Sequence, residues 1–149
     1  MVDDDNVDVA LFVRAVARTG FNIGFQALST GQQAMDYLEA KGNYQKRSRH
    51  PLPDLIVLDL RMPNVNGFDF LAWRKASSFF SAIPVVVFSG SRDQEEINRV
   101  LELGATIHIV KPESFDGWEG VVRQIWQVGS KAIVSSKALN SGRGTAQSL

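Results

Sequence analysis

The chain has 149 residues, 44% of them hydrophobic, which suffices for one folded domain and excludes a disordered polymer. Lys plus Arg number 16 and Asp plus Glu number 16, so no general electrostatic pull toward nucleic acid or anionic membranes is expected. Cysteine is absent, which excludes disulfides, thiolate metal sites and a cysteine nucleophile.

The opening segment, MVDDDNVDV, is acidic and lacks the basic and apolar regions of a signal peptide. No apolar run approaches the ~18 residues of a membrane span, so a soluble cytoplasmic domain is expected. Val9, Phe12, Val13 and Val16 recur at i, i+3, i+4 and i+7 and predict a first helix. IGFQAL (Ile23 to Leu28) is a weaker strand candidate at a sheet edge, and Ala34, Tyr37 and Leu38 predict a short helix. A long polar, basic connection, GNYQKRSRHPLP, runs from Gly42 to Pro53. Three buried strands are predicted, LIVLD (Leu55 to Asp59), VVVFS (Val85 to Ser89) and TIHIV (Thr106 to Val110). They are rich in β-branched residues and lack alternation, as parallel strands covered on both faces do. NGFDFLAWRKA supplies a helix after Gly67. SRDQ, Ser91 to Gln94, fits a capping box that opens a helix striped by Ile97, Val100 and Leu101 and ended by Gly104. Trp118, Val121, Val122 and Ile125 mark the last helix. From Ser135 onward no apolar period remains, so the expected division is a domain over 1–130 and a polar, solvated tail over 131–149.

Alternating helices and strands imply right-handed βαβ units, a parallel sheet and helices on both faces. Sites in such sheets form at the carboxyl ends of the strands. The residues there are Asp59, Ser89 and Lys111, with Asp3, Asp4 and Asp5 where a first strand would end. Several carboxylates, one hydroxyl and one ammonium suit phosphoryl transfer onto a carboxylate. One carboxylate can act as the nucleophile. A divalent cation held by oxygen ligands, of which Mg²⁺ is the natural choice, reduces anion–anion repulsion. The Lys and the hydroxyl stabilise charge on the phosphoryl oxygens.

The motifs VDDD (Val2 to Asp5), VLDLRMPNVNG (Val57 to Gly67), VVVFSG (Val85 to Gly90) and GATIHIVKP (Gly104 to Pro112), in this order and spacing, resemble the receiver domain of two-component response regulators. The resemblance covers roughly Met1 to Val128. It implies a flavodoxin-like doubly wound α/β fold, (βα)5, with strand order 2-1-3-4-5. It implies that Asp59 is the phosphoacceptor, and that Asp3 and Asp4 hold Mg²⁺ together with Asp59 and the Arg61 backbone carbonyl. Ser89 and Lys111 would bind the phosphoryl group. His108 takes the place of the family's switch aromatic, which puts the usual aromatic rotamer switch in doubt. Pro63 and Gly67 build the turn after Asp59, and the Lys111–Pro112 bond is expected to be cis. The implied partners are a sensor histidine kinase, a downstream protein or phosphotransfer partner, and a second copy in a homodimer, with neither nucleic acid nor membrane. A finer resemblance, carried by YLEAKGNYQKRSRHPLPDLIVLDLRMP, is to single-domain receivers paired with phytochrome-like histidine kinases.

Plainer readings stand beside these. Asp3 to Asp5 suit an N-cap cluster, His108 suits a packed histidine, and Trp73 and Trp118 suit packing. The basic loop suits a solvated excursion or a partner contact. A phosphorylation-independent interaction module is the rival function. A hydrolase of the haloacid dehalogenase type would need an Asp two residues after the nucleophile, where this chain has Arg61. Arg61 and Ser91 flank the site and are expected to tune hydrolysis of the phospho-form.

The first strand is truncated or missing, because only Met1 and Val2 precede the acidic cluster. Losing four buried apolar side chains from an inner strand, at about 1.5–3 kcal/mol each, costs as much as a whole domain's stability. Three arrangements are open: a start upstream of Met1, a minimal strand at Met1 to Asp3, or another segment in the gap.

Overall fold

A computed structural model describes residues 1–142, with side chains through Ser135. Helix α1 (Asn6–Thr19) comes first, followed by α2 (Gly31–Glu39), strand β1 (Ile56–Leu58), α3 (Gly67–Ala76), β2 (Val85–Ser89), α4 (Gln94–Glu102), β3 (Ile107–Val110) and α5 (Asp116–Gly142). The strands form a parallel sheet in the order β1-β2-β3. Val2 adds a single parallel bridge to Leu58 on one side and to Leu28 on the other. The full lateral order is therefore the expected 2-1-3-4-5, with the first two positions reduced to one residue each.

Val2 forms a minimal first strand within the described residues. Val2 N–H donates to Val57 O at 2.8 Å, Asp59 N–H to Val2 O at 2.9 Å, and Asp3 N–H to Leu28 O at 2.9 Å. The predicted strand over Ile23 to Leu28 is corrected to that bridge at Leu28. A strand exists only where a neighbour completes its ladder, and Val2 offers one residue. Burial lowers the Met1 ammonium to about 5, with Asp3 opposing the shift; the group donates to Gln26 O at 2.7 Å.

The period-2 pleat divides the core between the two faces of the sheet. Val85 and Val87 face the side covered by α2, α3 and α4, packing with Leu58, Phe70 and Val100. Val86 and Phe88 face α1 and α5, packing with Phe12, Ala15, Trp118, Val122 and Ile125. Trp118 stands edge-on to Phe88 at 5.2 Å. Trp73 packs on Phe70 and Phe80, so both tryptophans are packing residues.

The starts of α1, α2, α3 and α4 have side-chain caps. Asp5 accepts from Val7 and Asp8 N–H, Thr30 from Gln33 and Asp93 from Glu95. The capping box belongs to α3, between Asn66 and Asp69, which corrects its expected place at Ser91–Gln94. There Ser91 Oγ accepts from Asp93 N–H and braces the cap from outside. On α1, Phe12 and Ala15 face the core while Val13 is exposed.

The basic connection folds back on α2. The Arg47 guanidinium donates to Tyr37 O, His50 O and Leu38 O. Carbonyls at a helix end lack intrahelical donors, so Arg47 closes that end. Lys46 and Arg49 remain exposed. A second cation, Arg74, is buried and donates to Ile83 O, Ser81 O and Gly104 O, tying α3 to the segments before β2 and β3. Helix α5 continues past residue 130 to Gly142. The solvated tail expected from Ser135 is thus helical in its first part, and 143–149 lie outside the described residues.

Candidate functional site

Asp59 follows the last residue of β1 and is 6% exposed. Its Oδ2 accepts from the Arg61 N–H at 3.0 Å, and its Oδ1 lies 3.2 Å from Lys111 Nζ. The chain then turns sharply through Pro63 and Asn64, the latter at φ 63°. Gly67 N–H returns to Leu60 O at 3.1 Å. A Cβ on Gly67 would sit 2.5 Å from Asp59 O and 2.8 Å from Leu60 Cα, so only glycine lets α3 begin this close to the strand end.

The three consecutive aspartates have three placements. Asp3, 2% exposed, is drawn inward by the bridge at Val2; its Oδ2 bonds Lys111 Nζ at 2.9 Å and its Oδ1 accepts from Asp5 N–H at 2.9 Å. Asp4 is exposed. Asp5 is the α1 cap and lies outside the carboxylate cluster. Lys111 leaves β3 with its N–H on Ser89 O at 2.9 Å. Its ammonium also bonds Asp8 Oδ2 at 2.7 Å. Asp8 was not singled out from the sequence. Its signal was available: an acidic residue in the first turn of a helix that begins beside the site.

Burial pushes the Asp3 and Asp59 carboxyls up, with the Lys111 ammonium opposing. Burial alone would lower Lys111, but its bonds to Asp3 and Asp8 and the charge of Asp59 raise it well above the usual lysine range. The Lys111 ammonium thus stays charged against the carboxylates of Asp3, Asp8 and Asp59, with Asp4 beside Asp3 and Asp59. Carboxylate oxygens of Asp3, Asp4 and Asp59 lie within 4.8 Å of one another. An excess of hard oxygen donors with one exposed member fits Mg²⁺, which keeps several waters.

Ser89 is fully buried at the end of β2. Its Oγ shares a 3.2 Å hydrogen bond with His108 Nε2 and accepts from Ser91 N–H at 3.3 Å. Burial lowers His108, with Glu96 opposing. Glu96 in turn holds the exposed Arg61 guanidinium at 2.6 Å. Asp3, Asp4, Asp59 and Lys111 are therefore brought together, while Ser89 is paired with His108 beside them. The cis Lys111–Pro112 bond is corrected: among the described residues no peptide bond is cis. Trans is the ordinary state of an X–Pro bond, and the Pro112 ring lies where a Cβ on Gly117 would come within 2.7 Å.

Comparison with known proteins places this geometry. The family described as response regulator receiver domain matches residues 1–122. The probable methanogenesis regulatory protein FilR2 of Methanothrix harundinacea is 33% identical over 125 residues, 84% of this chain and 78% of that protein. The phosphorylated cyanobacterial phytochrome response regulator RcpA superposes with a TM-score of 0.75 at 31% identity, covering 83% of this chain and 86% of that one. Response regulator Rcp1 of Synechocystis is 29% identical over 111 residues, 74% of each chain. Its Mn²⁺-bound crystal structure gives a TM-score of 0.72 at 27% identity over 80% of this chain and 87% of that one.

Proposed function

This chain belongs to the response regulator receiver domain family of two-component signalling, and we propose that it works as a single-domain phosphorylation switch. The observation that carries the reading is the Lys111 ammonium held among Asp3, Asp8 and Asp59 at the carboxyl end of the sheet. An Asp59 carboxylate oxygen attacks the phosphorus of a kinase phosphohistidine. The P–N bond breaks and the imidazole leaves. Asp3, Asp4, Asp59 and the Arg61 carbonyl would hold Mg²⁺, whose charge offsets repulsion between the phosphate and the carboxylates. Lys111 then pairs with a phosphoryl oxygen. Ser89 gives up His108 and donates its hydroxyl to another, so His108 and the α4–β3–α5 face rearrange.

The chain assists its own phosphorylation and dephosphorylation and is not a turnover enzyme. Likeness to RcpA and Rcp1 supports a phytochrome-like histidine kinase as the donor. Output passes by protein contact or phosphotransfer, with a homodimer through α4, β3 and α5. Cytoplasmic operation fits such a partner, and no helix among the described residues is long and apolar enough to cross a membrane. The second reading, a phosphorylation-independent interaction module, is favoured by the Ser89–His108 bond, which occupies the hydroxyl.

The test is intact mass after acetyl phosphate or phosphoramidate, with and without Mg²⁺. The expected outcome is a Mg²⁺-dependent gain of one phosphoryl group, absent in Asp59→Asn. No gain on protein shown to be folded by circular dichroism supports the interaction module instead.

A further inference from the structure

Four polar side chains beside the phosphoacceptor form two separate pairs. Ser89 Oγ shares a hydrogen bond with His108 Nε2 at 3.2 Å. Arg61 Nη2 donates to Glu96 Oε1 at 2.6 Å. The first pair joins β2 to β3. The second joins α4 to the loop after Asp59, where the Arg61 N–H is bonded to Asp59 Oδ2 at 3.0 Å.

The pleat brings the two pairs to one side of the sheet. Val85 and Val87 face α4, Ser89 lies two residues beyond Val87, and side chains two apart in a strand share a face. His108 is the register partner of Val87 and lies on that face too. On α4, Val100 is fully buried in the same core. Glu96 precedes it by four residues, so both lie on one face of the helix.

Glu96 has one oxygen to spare. Oε1 is taken by Arg61, whereas Oε2 is buried with no hydrogen-bond partner among the described residues. A buried acceptor without a donor costs free energy, which a neighbouring N–H would recover. The group whose charge Glu96 acts on is His108, and Ser89 holds the Nε2 of that ring.

We propose that Glu96 is the acceptor that receives His108 when Ser89 lets it go: the freed imidazole donates an N–H to Glu96 Oε2, completing a chain from β3 through α4 to Arg61 and the Asp59 loop. Glu96 is thus a positioning residue, acting through Arg61 and His108 without touching the phosphoryl group. The trigger rests on the phosphorylation reading, since Ser89 turns to the phosphoryl group there. The bond itself needs only the loss of the Ser89 contact.

The experiment follows the ring nitrogens by NMR in the full chain labelled with ¹⁵N-histidine. The chain has two histidines, so His50→Gln identifies the His108 signals. Phosphoramidate and Mg²⁺ should bring out a downfield, slowly exchanging His108 N–H, as a hydrogen bond to a carboxylate does. Glu96→Met, which has no acceptor, should lose that signal while intact mass still shows one phosphoryl group, and Glu96→Gln should keep it in weakened form. Ser89→Ala should show the signal with no phosphodonor, and Ser89→Ala combined with Glu96→Met should not. A signal of equal strength with Met at position 96, or no signal in Ser89→Ala shown to be folded by circular dichroism, overturns the proposal. A signal in Ser89→Ala beside a wild type that takes up no phosphoryl group supports the His108–Glu96 bond and overturns only the phosphorylation reading.

Discussion

Lys111 is the residue on which the site balances. Its ammonium faces two nearly buried carboxylates, Asp3 and Asp59, and a partly exposed third, Asp8. Removing a buried partner leaves uncompensated charge, which costs about 3–5 kcal/mol. Lys111→Met should therefore lower stability by about that amount in urea unfolding and abolish phosphoryl uptake. Asp8→Asn keeps the Asp3 and Asp59 contacts and removes a more solvated one. It should cost about 1 kcal/mol and reduce the rate of phosphoryl uptake without abolishing it, as read by intact mass against time. A larger loss for Asp8→Asn than for Lys111→Met would contradict this ordering. The placement of Asp59 and Lys111 at the strand ends was legible because a β-branched apolar run leads into each. Asp8 was not, because one acid in a helix's first turn is usually read as dipole complement.

At the scale of elements, two junctions set the geometry. The first is the passage from β1 to α3, where Gly67 lies against the Asp59 carbonyl. Gly67→Ala forces backbone to move, because its Cβ meets main-chain atoms and no flexible side chain. A cost of about 1–3 kcal/mol is expected, together with slower phosphoryl uptake, since the displaced strand end carries Asp59. Uptake and melting temperature equal to wild type would show that the turn relaxes freely. The second junction is Arg74, which joins α3 to the segments before β2 and β3. Its burial lowers its tendency to stay protonated, yet four hydrogen bonds to carbonyls satisfy it. Arg74→Met should destabilise the chain by at least about 1.5–3 kcal/mol, measured by urea unfolding. Nothing in FDFLAWRKA distinguishes this buried cation from a solvated one, since its acceptors come from two other segments.

For the whole molecule, His108 makes stability depend on pH. Burial beneath α4 lowers its folded value below the ordinary ~6.5 of an unfolded chain. The neutral ring's contribution is complete above that value. It is lost as pH falls, because the unfolded chain takes up the proton first. The raised carboxyls of Asp3 and Asp59 act in the opposite sense. The comparison that isolates His108 is thus the difference in melting temperature between wild type and His108→Gln. Wild type should lose more stability than the variant as pH falls below about 6.5. Parallel curves for the two proteins would show that His108 titrates alike in both states.

The sequence by itself determined three strands, the one over Val85–Ser89 to its bounds and the other two over a slightly longer run than the observed Ile56–Leu58 and Ile107–Val110, together with the alternation of helix and strand and the residues at the strand ends. These follow from local periodicity and from β-branched runs, which report on burial without knowledge of neighbours. Tertiary structure decided the rest. It reduced Ile23–Leu28 to one bridge, because pairing depends on how much of Val2's strand exists beside it. It moved the capping box to Asn66, turned Arg47 and Arg74 inward onto carbonyls, and directed Ser89 toward His108. The capping box is local, its partners Asn66 and Asp69 lying three residues apart; the others rest on partners from other segments, and a hydrogen-bonding group shows no local trace of which acceptor elsewhere it will meet.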